Sequence, residues 1–175
     1  MKSIPEGVYL LKFNNMILIG LPGSGKSTLG VLLAKRLCMS FIDTDLLIQT
    51  HCGKSLQEII NEDGIKRFLE MENDVMLNLN CSNTIIATGG SAVLSPDGLN
   101  HLKTDGTTVY LEISYADMTD RIGNGKTRGI VMKPDEEWID MFEKRIPLYE
   151  KYADIKVNCS DHTPRECVEK IMGCI

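Results

Sequence analysis

Short apolar runs alternate with longer amphipathic stretches along most of this chain. The apolar runs are rich in Ile, Leu and Val, and are typical of parallel strands that are buried on both faces. The stretches between them have the apolar spacing of helices, so the pattern predicts an α/β fold with a parallel sheet flanked by helices. The predicted strands cover residues 16–19, 41–43, 84–88, 107–113 and 155–157.

Capping residues and apolar spacing set the predicted helix boundaries. Ser95 and Thr163 are placed as N-caps, and the proline that follows each of them suits the first helical position. The predicted helices cover residues 28–38, 46–51, 56–61 and 64–79, and four more begin near residues 96, 115, 134 and 164, the third of these continuing towards 146.

A glycine-rich loop follows the first predicted strand. The run from Gly20 to Thr28 matches G-x-x-x-x-G-K-[ST], with its lysine at Lys26 and its hydroxyl at Ser27. Glycines let successive backbone N–H groups converge on one anion, and the next helix presents the positive end of its dipole to the same charge. The motif therefore predicts a P-loop NTPase fold, in which Lys26 contacts nucleotide phosphates and Ser27 binds Mg²⁺.

Length and composition favour one ordinary globular domain. The 175 residues are 43% hydrophobic and 25% charged, and a net charge of −5 without a long basic run disfavours a nucleic-acid partner. No apolar stretch is long enough for a bilayer and no signal peptide is evident, so a cytoplasmic monomer without a membrane partner is expected. Residues 1–14 are predicted to be a leader or an edge strand, and residues 15–175 a single domain.

The cysteines and histidines of the chain do not form a recognisable site. The six cysteines contain no C-x-x-C pair, so reduced thiols are expected rather than a disulfide framework or a zinc site. The three histidines are scattered along the chain, and none of them is predicted to be catalytic.

Acidic residues end the second predicted strand, at the sheet edge where open parallel sheets bind ligands. If the chain stays extended through Asp43 and Asp45, their side chains point to opposite sides. One could then face Mg²⁺ while the other faces an acceptor substrate. Gly89 and Gly90 end the third predicted strand at the same edge.

Basic residues concentrate near the polar stretch 123–133, which is predicted to be a mobile loop. Arg121, Lys126 and Arg128 bring positive charge to it, and an arginine carried to ATP phosphates by loop closure would stabilise the charge that develops in phosphoryl transfer. Arg145 lies near the end of a predicted helix, where a lone arginine is ordinarily a cap or a surface charge.

From residue 16 to the C-terminus, these motifs resemble the shikimate kinase family in their order and spacing. The resemblance implies a five-stranded parallel sheet with a lid loop, and ATP- and Mg²⁺-dependent phosphorylation of a small polyhydroxylated acid. Shikimate, giving shikimate 3-phosphate, is the first candidate. The motifs that carry the resemblance are the P-loop, Asp43-x-Asp45, Ala87-Thr88-Gly89-Gly90, Arg128 and Arg145-x-Pro147-Leu148-Tyr149.

The resemblance also implies a role for each matching residue. ATP phosphates would be bound by Gly23, Ser24, Gly25, Lys26, Ser27 and Thr28, the adenine side by Arg121, and Mg²⁺ by Ser27 and Asp43. Asp45 would bind the acceptor hydroxyls and serve as base, and Lys26 and Arg128 would assist the transfer. The acceptor would further contact Gly89, Gly90 and Arg145.

Three positions depart from the family pattern. Leu69 stands where the Phe-Arg-x-x-Glu motif has its carboxylate-binding arginine, Ser91 replaces a third glycine, and Gly129-Ile130 replaces Pro-Leu after Arg128. Loss of one charge-assisted bond to a carboxylate, roughly 1.5–3 kcal/mol, would weaken binding about ten- to a hundredfold. Lys66 and Asn73 share the helical face of Leu69 and could partly replace the arginine.

The sequence leaves three functions open. Intact phosphoryl-transfer residues favour a kinase that acts on shikimate, and the altered acceptor site leaves open a related kinase with another small acceptor. A nucleotide-binding regulatory module that lacks catalysis is the alternative from a different class. A nucleoside monophosphate kinase is disfavoured by the Asp43-x-Asp45 pair and by the stretch that begins at Arg145.

Overall fold

Five parallel strands form the sheet at the centre of the molecule. The structure, a computed structural model, describes residues 14–123 and 129–175. The strand order β2-β3-β1-β4-β5 puts the first strand at the centre, with every pairing parallel. The predicted α/β fold with a five-stranded parallel sheet is therefore confirmed. The strands are β1 (Asn15–Ile19), β2 (Ser40–Asp43), β3 (Thr84–Ala87), β4 (Gly106–Glu112) and β5 (Ile155–Asn158).

Helices connect the strands and flank the sheet. Helix α1 contacts β1, β2 and β3, whereas α4 and α6 contact β4, and α7 contacts β5. The helices are α1 (Lys26–Leu37), α2 (Thr44–Cys52), α3 (Leu56–Leu77), α4 (Pro96–Lys103), α5 (Tyr115–Ile122), α6 (Trp138–Tyr152) and α7 (Pro164–Met172), with a short 3-10 helix at Ala92–Leu94.

Some of the predictions concern residues outside the described ranges. The leader or edge strand at 1–14 falls almost wholly there, as do Lys126 and Arg128. The assigned role of Arg128 therefore stays a prediction.

Helix α2 begins earlier than the sequence predicted, because Asp43 caps it. The Asp43 Oδ1 atom accepts from the backbone N–H of Asp45 at 3.0 Å and of Leu46 at 3.3 Å. An Asp side chain at this position satisfies N–H groups that have no partner within the helix. Asp45 thus lies in the first helical turn and not on an extended strand.

One predicted break is confirmed, and one helix differs from its predicted boundaries. The range labelled α3 consists of two helical segments that meet at Gly64, where φ is 80° and a residue without Cβ is favoured, as the predicted segments 56–61 and 64–79 require. Helix α6 begins at Trp138 rather than near 134, because Glu137 and Asp140 form a capping box. It also continues through Pro147 to Tyr152, so Arg145 lies inside the helix rather than at its end.

The hydrophobic core consists of two clusters. The larger one surrounds β1, whose residues 16–19 are fully buried. The smaller one joins α2, α3 and the segment after residue 128, through residues that include Ile48, Phe68 and Val131. In the part of the chain that the structure describes, no helix is both long and apolar enough to cross a membrane.

Candidate active site

The glycine-rich loop between β1 and α1 forms one wall of a large cleft. Gly25 adopts φ 91°, which disfavours any side chain with a Cβ, and the first turn of α1 begins at the next residue, Lys26. The cleft has a volume of about 640 Å³ and is lined by residues 22–29 of this loop and helix. The backbone N–H groups of the first turn of α1 therefore face the cleft, as phosphate binding requires.

Lys26 is buried within the loop. Its Nζ atom donates to the backbone carbonyl of Gly20 at 2.7 Å and of Leu21 at 3.0 Å, and to Ser24 Oγ at 3.3 Å. Burial lowers the pKa of Lys26 to about 8, although the nearby carboxylate of Asp45 raises it in part. The lysine therefore remains largely charged at neutral pH, beside the loop that would hold phosphates.

Asp45 lines the cleft, and one of its two carboxyl oxygens is buried away from it. This atom, Oδ1, lies beside Gly89 and accepts no hydrogen bond from the described residues. Burial, followed by the negative charge of Asp43, raises the pKa of Asp45 to about 6, and Lys26 opposes this shift. Asp45 is thus ionised at neutral pH and can accept a hydrogen bond from an alcohol in the cleft.

Arg145 is buried rather than exposed, so the interpretation as a cap or surface charge is wrong. The residue is 4% exposed and its guanidinium donates to the backbone carbonyl of Gly90 at 3.1 Å and to that of Val131. Tyr149, one turn later, donates to the same Gly90 carbonyl at 2.6 Å. Because Arg145 also lines the cleft, α6 places a fixed positive charge in its wall.

Gly89 and Gly90 bring the turn after β3 close to α2 and to the glycine-rich loop. The N–H group of Gly89 donates to Thr44 Oγ1 at 3.2 Å, which ties this turn to the start of α2. A Cβ atom on Gly90 would lie 2.9 Å from Pro22 Cδ and 3.2 Å from Pro22 N, so the two loops touch. Gly90 lines the cleft, whereas Gly89 packs behind it against Asp45.

Replacing Gly90 by alanine should separate these two loops. We expect kcat/KM to fall by about a hundredfold, because a displacement of about 1 Å between reacting groups has effects of this size. Gly173→Ala is the matched control, since its added Cβ would meet its neighbours at 3.5 Å and 3.6 Å, ordinary contact distances. Steady-state kinetics of both variants test this, and an unchanged kcat/KM in Gly90→Ala would contradict the close contact.

The residues around Leu69 are arranged differently from the sequence interpretation. Leu69 is partly buried in the smaller apolar cluster, and Phe68 rather than Leu69 lines the cleft. Asn73 Oδ1 accepts from the backbone N–H of Gly98 at 2.9 Å, so this side chain is bonded to α4. Lys66 is exposed. The role of Leu69 in acceptor binding stays a prediction.

Ser27 and Asp43 face a smaller neighbouring cavity of about 350 Å³, which Asp45 also lines. Within residues 14–123 and 129–175, no group of three His, Cys, Asp or Glu side chains is placed to hold a metal. Two protein oxygens fit Mg²⁺, which usually keeps several waters and shares nucleotide phosphates. The donor set therefore suits a cation that arrives with a nucleotide.

The cleft is also lined by Arg121, which the sequence analysis places at the adenine side, and by His162 and Pro164, to which the sequence analysis assigns no site role. Arg121 donates to the backbone carbonyls of Gly23 and Cys159, at 3.4 Å each, and lines the cleft. His162 and Pro164 join it there from the loop between β5 and α7. One feature of the sequence could have identified His162 and Pro164. Their loop follows a parallel strand at its carboxyl end, which is the edge at which such sheets bind ligands.

Comparison with known proteins identifies a family. The sequence profile of shikimate kinase matches residues 22–175. Shikimate kinase from Mycobacterium ulcerans is 39% identical over 160 residues, which cover 90% of this chain and 86% of that protein. Shikimate kinase from a Sulfurihydrogenibium species is 33% identical over 159 residues, which cover 90% of this chain and 95% of that protein.

Solved structures agree with the sequence comparison. Shikimate kinase from Acinetobacter baumannii in complex with shikimate has a TM-score of 0.85 and 28% identity, covering 93% of each chain. Shikimate kinase from Aquifex aeolicus has a TM-score of 0.78 and 34% identity, covering 90% of this chain and 94% of that one. With its nucleotide loop, acidic residue and buried arginine around one cleft, this chain belongs to the shikimate kinase family, and thus to the ATP-dependent small-molecule kinases.

Proposed function

We propose that this protein transfers the γ-phosphoryl group of ATP to a hydroxyl of shikimate, giving shikimate 3-phosphate. The observation that carries the proposal is the arrangement of Lys26, Asp45 and Arg145 around one cleft. These residues supply a phosphate-binding cation, an acceptor for a hydroxyl hydrogen and a cation for a carboxylate. Shikimate bears both hydroxyl groups and a carboxylate, so its functional groups match the three side chains.

Each part of the cleft has a distinct task in this reaction. The N–H groups around Gly25 and the start of α1 bind the ATP phosphates, and Lys26 stabilises the charge on the transferred group. Mg²⁺ held by Ser27 and Asp43 would neutralise phosphate charge. Arg121 faces the adenine end. Arg128 is proposed to approach the phosphates from the segment after α5.

Asp45 and Arg145 position the acceptor. The carboxylate of Asp45 orients the attacking hydroxyl and receives its proton, which is the task of the aspartate base in phosphoryl transfer. A guanidinium has five N–H donors. Two of those of Arg145 bind backbone carbonyls, and the others are available to a carboxylate. The Gly90 carbonyl accepts a hydrogen bond from this guanidinium, so Arg145 and the turn that contains Gly90 are held together.

Acceptor-dependent release of ADP tests the function directly. We expect saturable ADP release with shikimate, and none without an acceptor. A panel of other polyhydroxylated acids tests the alternative of a different small acceptor, which Leu69 and Ser91 favour. ATP binding without ADP release with any acceptor would contradict the kinase function and favour the regulatory module. We also propose a cytoplasmic monomer that does not bind nucleic acid, in keeping with the net charge of −5.

Leu69→Arg tests whether this position controls acceptor binding. We expect the KM for shikimate to fall about ten- to a hundredfold, because a guanidinium one position from Phe68 would add a charge-assisted bond to the carboxylate. Leu77→Arg, at an exposed position of the same helix, is the control. A KM that stays the same in Leu69→Arg would show that the position does not contact the acceptor.

A further inference from the structure

Glu72 is a buried carboxyl group of α3 that lies behind the acceptor side of the cleft. Its side chain has no exposed surface, and Ser91 Oγ donates to its Oε1 atom at 2.9 Å. Its Oε2 atom is buried and accepts no hydrogen bond from the described residues. A Cβ on Gly89 would collide with Glu72 Oε1 and lie 2.7 Å from Asp45 Oδ1. Glu72 is therefore a neighbour of the carboxylate that orients the acceptor.

Glu72 lacks the partners that an ionised carboxylate needs. Among the ion pairs formed by the described residues, none includes Glu72. The position three residues earlier on the same helical face is Leu69, which offers no charge. The buried cations Lys26 and Arg145 donate to backbone carbonyls, and neither donates a hydrogen bond to Glu72. A buried anion with one unpartnered oxygen is strongly disfavoured relative to the neutral acid.

We propose that Glu72 is a positioning residue that stays protonated in the working enzyme, and that Leu69 helps to maintain this state by placing no cation beside it, while the hydrogen bond from Ser91 opposes it only in part. The inference rests on the proposed function and deepens it. A neutral Glu72 leaves the positive charge of Arg145 available for an anionic acceptor. An ionised Glu72 would offset that charge and weaken the binding of any acceptor that bears a carboxylate.

The charges around Glu72 agree with a neutral acid. Burial, and next the negative charge of Asp45 on α2, raise the pKa of Glu72 to about 8. A group with a raised pKa is protonated below that value, so Glu72 is neutral at pH 7 and ionises as the pH rises through about 8. Groups with smaller effects face it from other elements: Ser91 after β3, Lys26 of α1, and Arg145 and Tyr149 of α6.

Carbon-13 NMR of the full chain, labelled at the glutamate carboxyl groups, measures this protonation state. The Glu72 resonance is identified by its absence from the spectrum of Glu72→Gln. We expect it to titrate near pH 8, whereas an ordinary glutamate titrates near about 4.3. A Glu72 resonance that titrates in the ordinary acidic range would overturn the proposal.

Two variants test the neighbours of Glu72. Ser91→Ala removes a hydrogen bond that favours the charged form, so the titration midpoint should rise. Leu69→Arg adds a cation on the same helical face, so the midpoint should fall by about one to three pH units. In that variant the new guanidinium supplies the charge that an ionised Glu72 offsets, so the fall in KM expected for it does not depend on a neutral Glu72. Leu77→Arg should leave it unchanged, since that position is exposed at the end of α3. A midpoint that responds to neither Ser91→Ala nor Leu69→Arg would overturn the assigned roles.

Steady-state kinetics connect this protonation state to acceptor binding. In the unmodified protein, the KM for shikimate should rise about tenfold as the pH passes through the midpoint, with a smaller change in kcat. Glu72→Gln should abolish this rise. Because the pKa of Lys26 is also about 8, comparing the two pH profiles separates the effect of Glu72 from that of Lys26. The same rise in Glu72→Gln would overturn the link. If shikimate is not phosphorylated, the proposed function fails, while the NMR titration still decides the state of Glu72.

Discussion

Replacing Lys26 by alanine should lower kcat by about 10²–10³-fold, since removal of one preorganised donor to a developing charge has effects of this size. Lys26 is the buried cation of the loop, and its ammonium lies within hydrogen-bonding distance of Gly20 O, Leu21 O and Ser24 Oγ. An alanine at this position removes both the contact to ATP phosphates and the links that hold the loop together. Steady-state kinetics at saturating ATP and shikimate measure the loss.

Lys35→Ala is the matched control for the Lys26 variant. Lys35 is an exposed lysine on the same helix, α1, so its removal should leave kcat unchanged. Thermal unfolding of both variants separates a loss of catalysis from a loss of folded protein. A Lys26→Ala protein that is folded and retains full kcat would contradict the role of this lysine in the transfer.

Asp45→Asn should lower kcat by about 10²–10⁴-fold, the range that a positioned general base contributes. Asparagine keeps the size of the side chain but cannot receive the proton of the attacking hydroxyl. The effect on ATP binding should be small, because Asp45 lies at the acceptor side of the cleft. Isothermal titration with ATP and steady-state turnover of shikimate therefore separate the two halves of the reaction.

Asp74→Asn controls for the change of charge, because Asp74 is an exposed aspartate on α3. It should leave both ATP binding and turnover unchanged. The role of Asp45 as base is excluded if Asp45→Asn turns over shikimate at the rate of the unmodified protein. A loss of ATP binding in Asp45→Asn would instead show that the residue supports the phosphate side.

The close approach of the two halves of the cleft explains why these effects are expected to be large. Gly90 touches Pro22 of the nucleotide loop on one side and binds Arg145 and Tyr149 through its carbonyl on the other. The turn at Gly90 thus contacts both the nucleotide loop and the side chains of Arg145 and Tyr149. Reacting groups that are held in position in this way lose little further freedom on the way to transfer, and this lowers the barrier.

Local features were readable from the sequence. The glycine loop, the strand before it and the helix after it depend on residues within a few positions of one another, so the motif predicts them directly. The same holds for the capping box at Thr163 and for the apolar strands of the sheet. The start of α2 was misjudged because the Asp43 side chain competes with an extended backbone by capping the helix.

Long-range contacts decided the rest of the site. The predicted helix ended near Arg145, but the helix continues through Pro147, and the arginine binds carbonyls 55 and 14 residues away in the chain. The hydrogen bond between Ser91 and Glu72 joins the segment after β3 to α3, and no local sequence pattern predicts it. The sequence by itself determined the fold class and the phosphate loop, because these follow from periodicity and one short motif, whereas most of the candidate residues followed from the resemblance to a known family. Only the tertiary structure decided which side chains are buried, which lack partners and which of them meet in one cleft, because burial and pairing depend on segments that are distant in the chain.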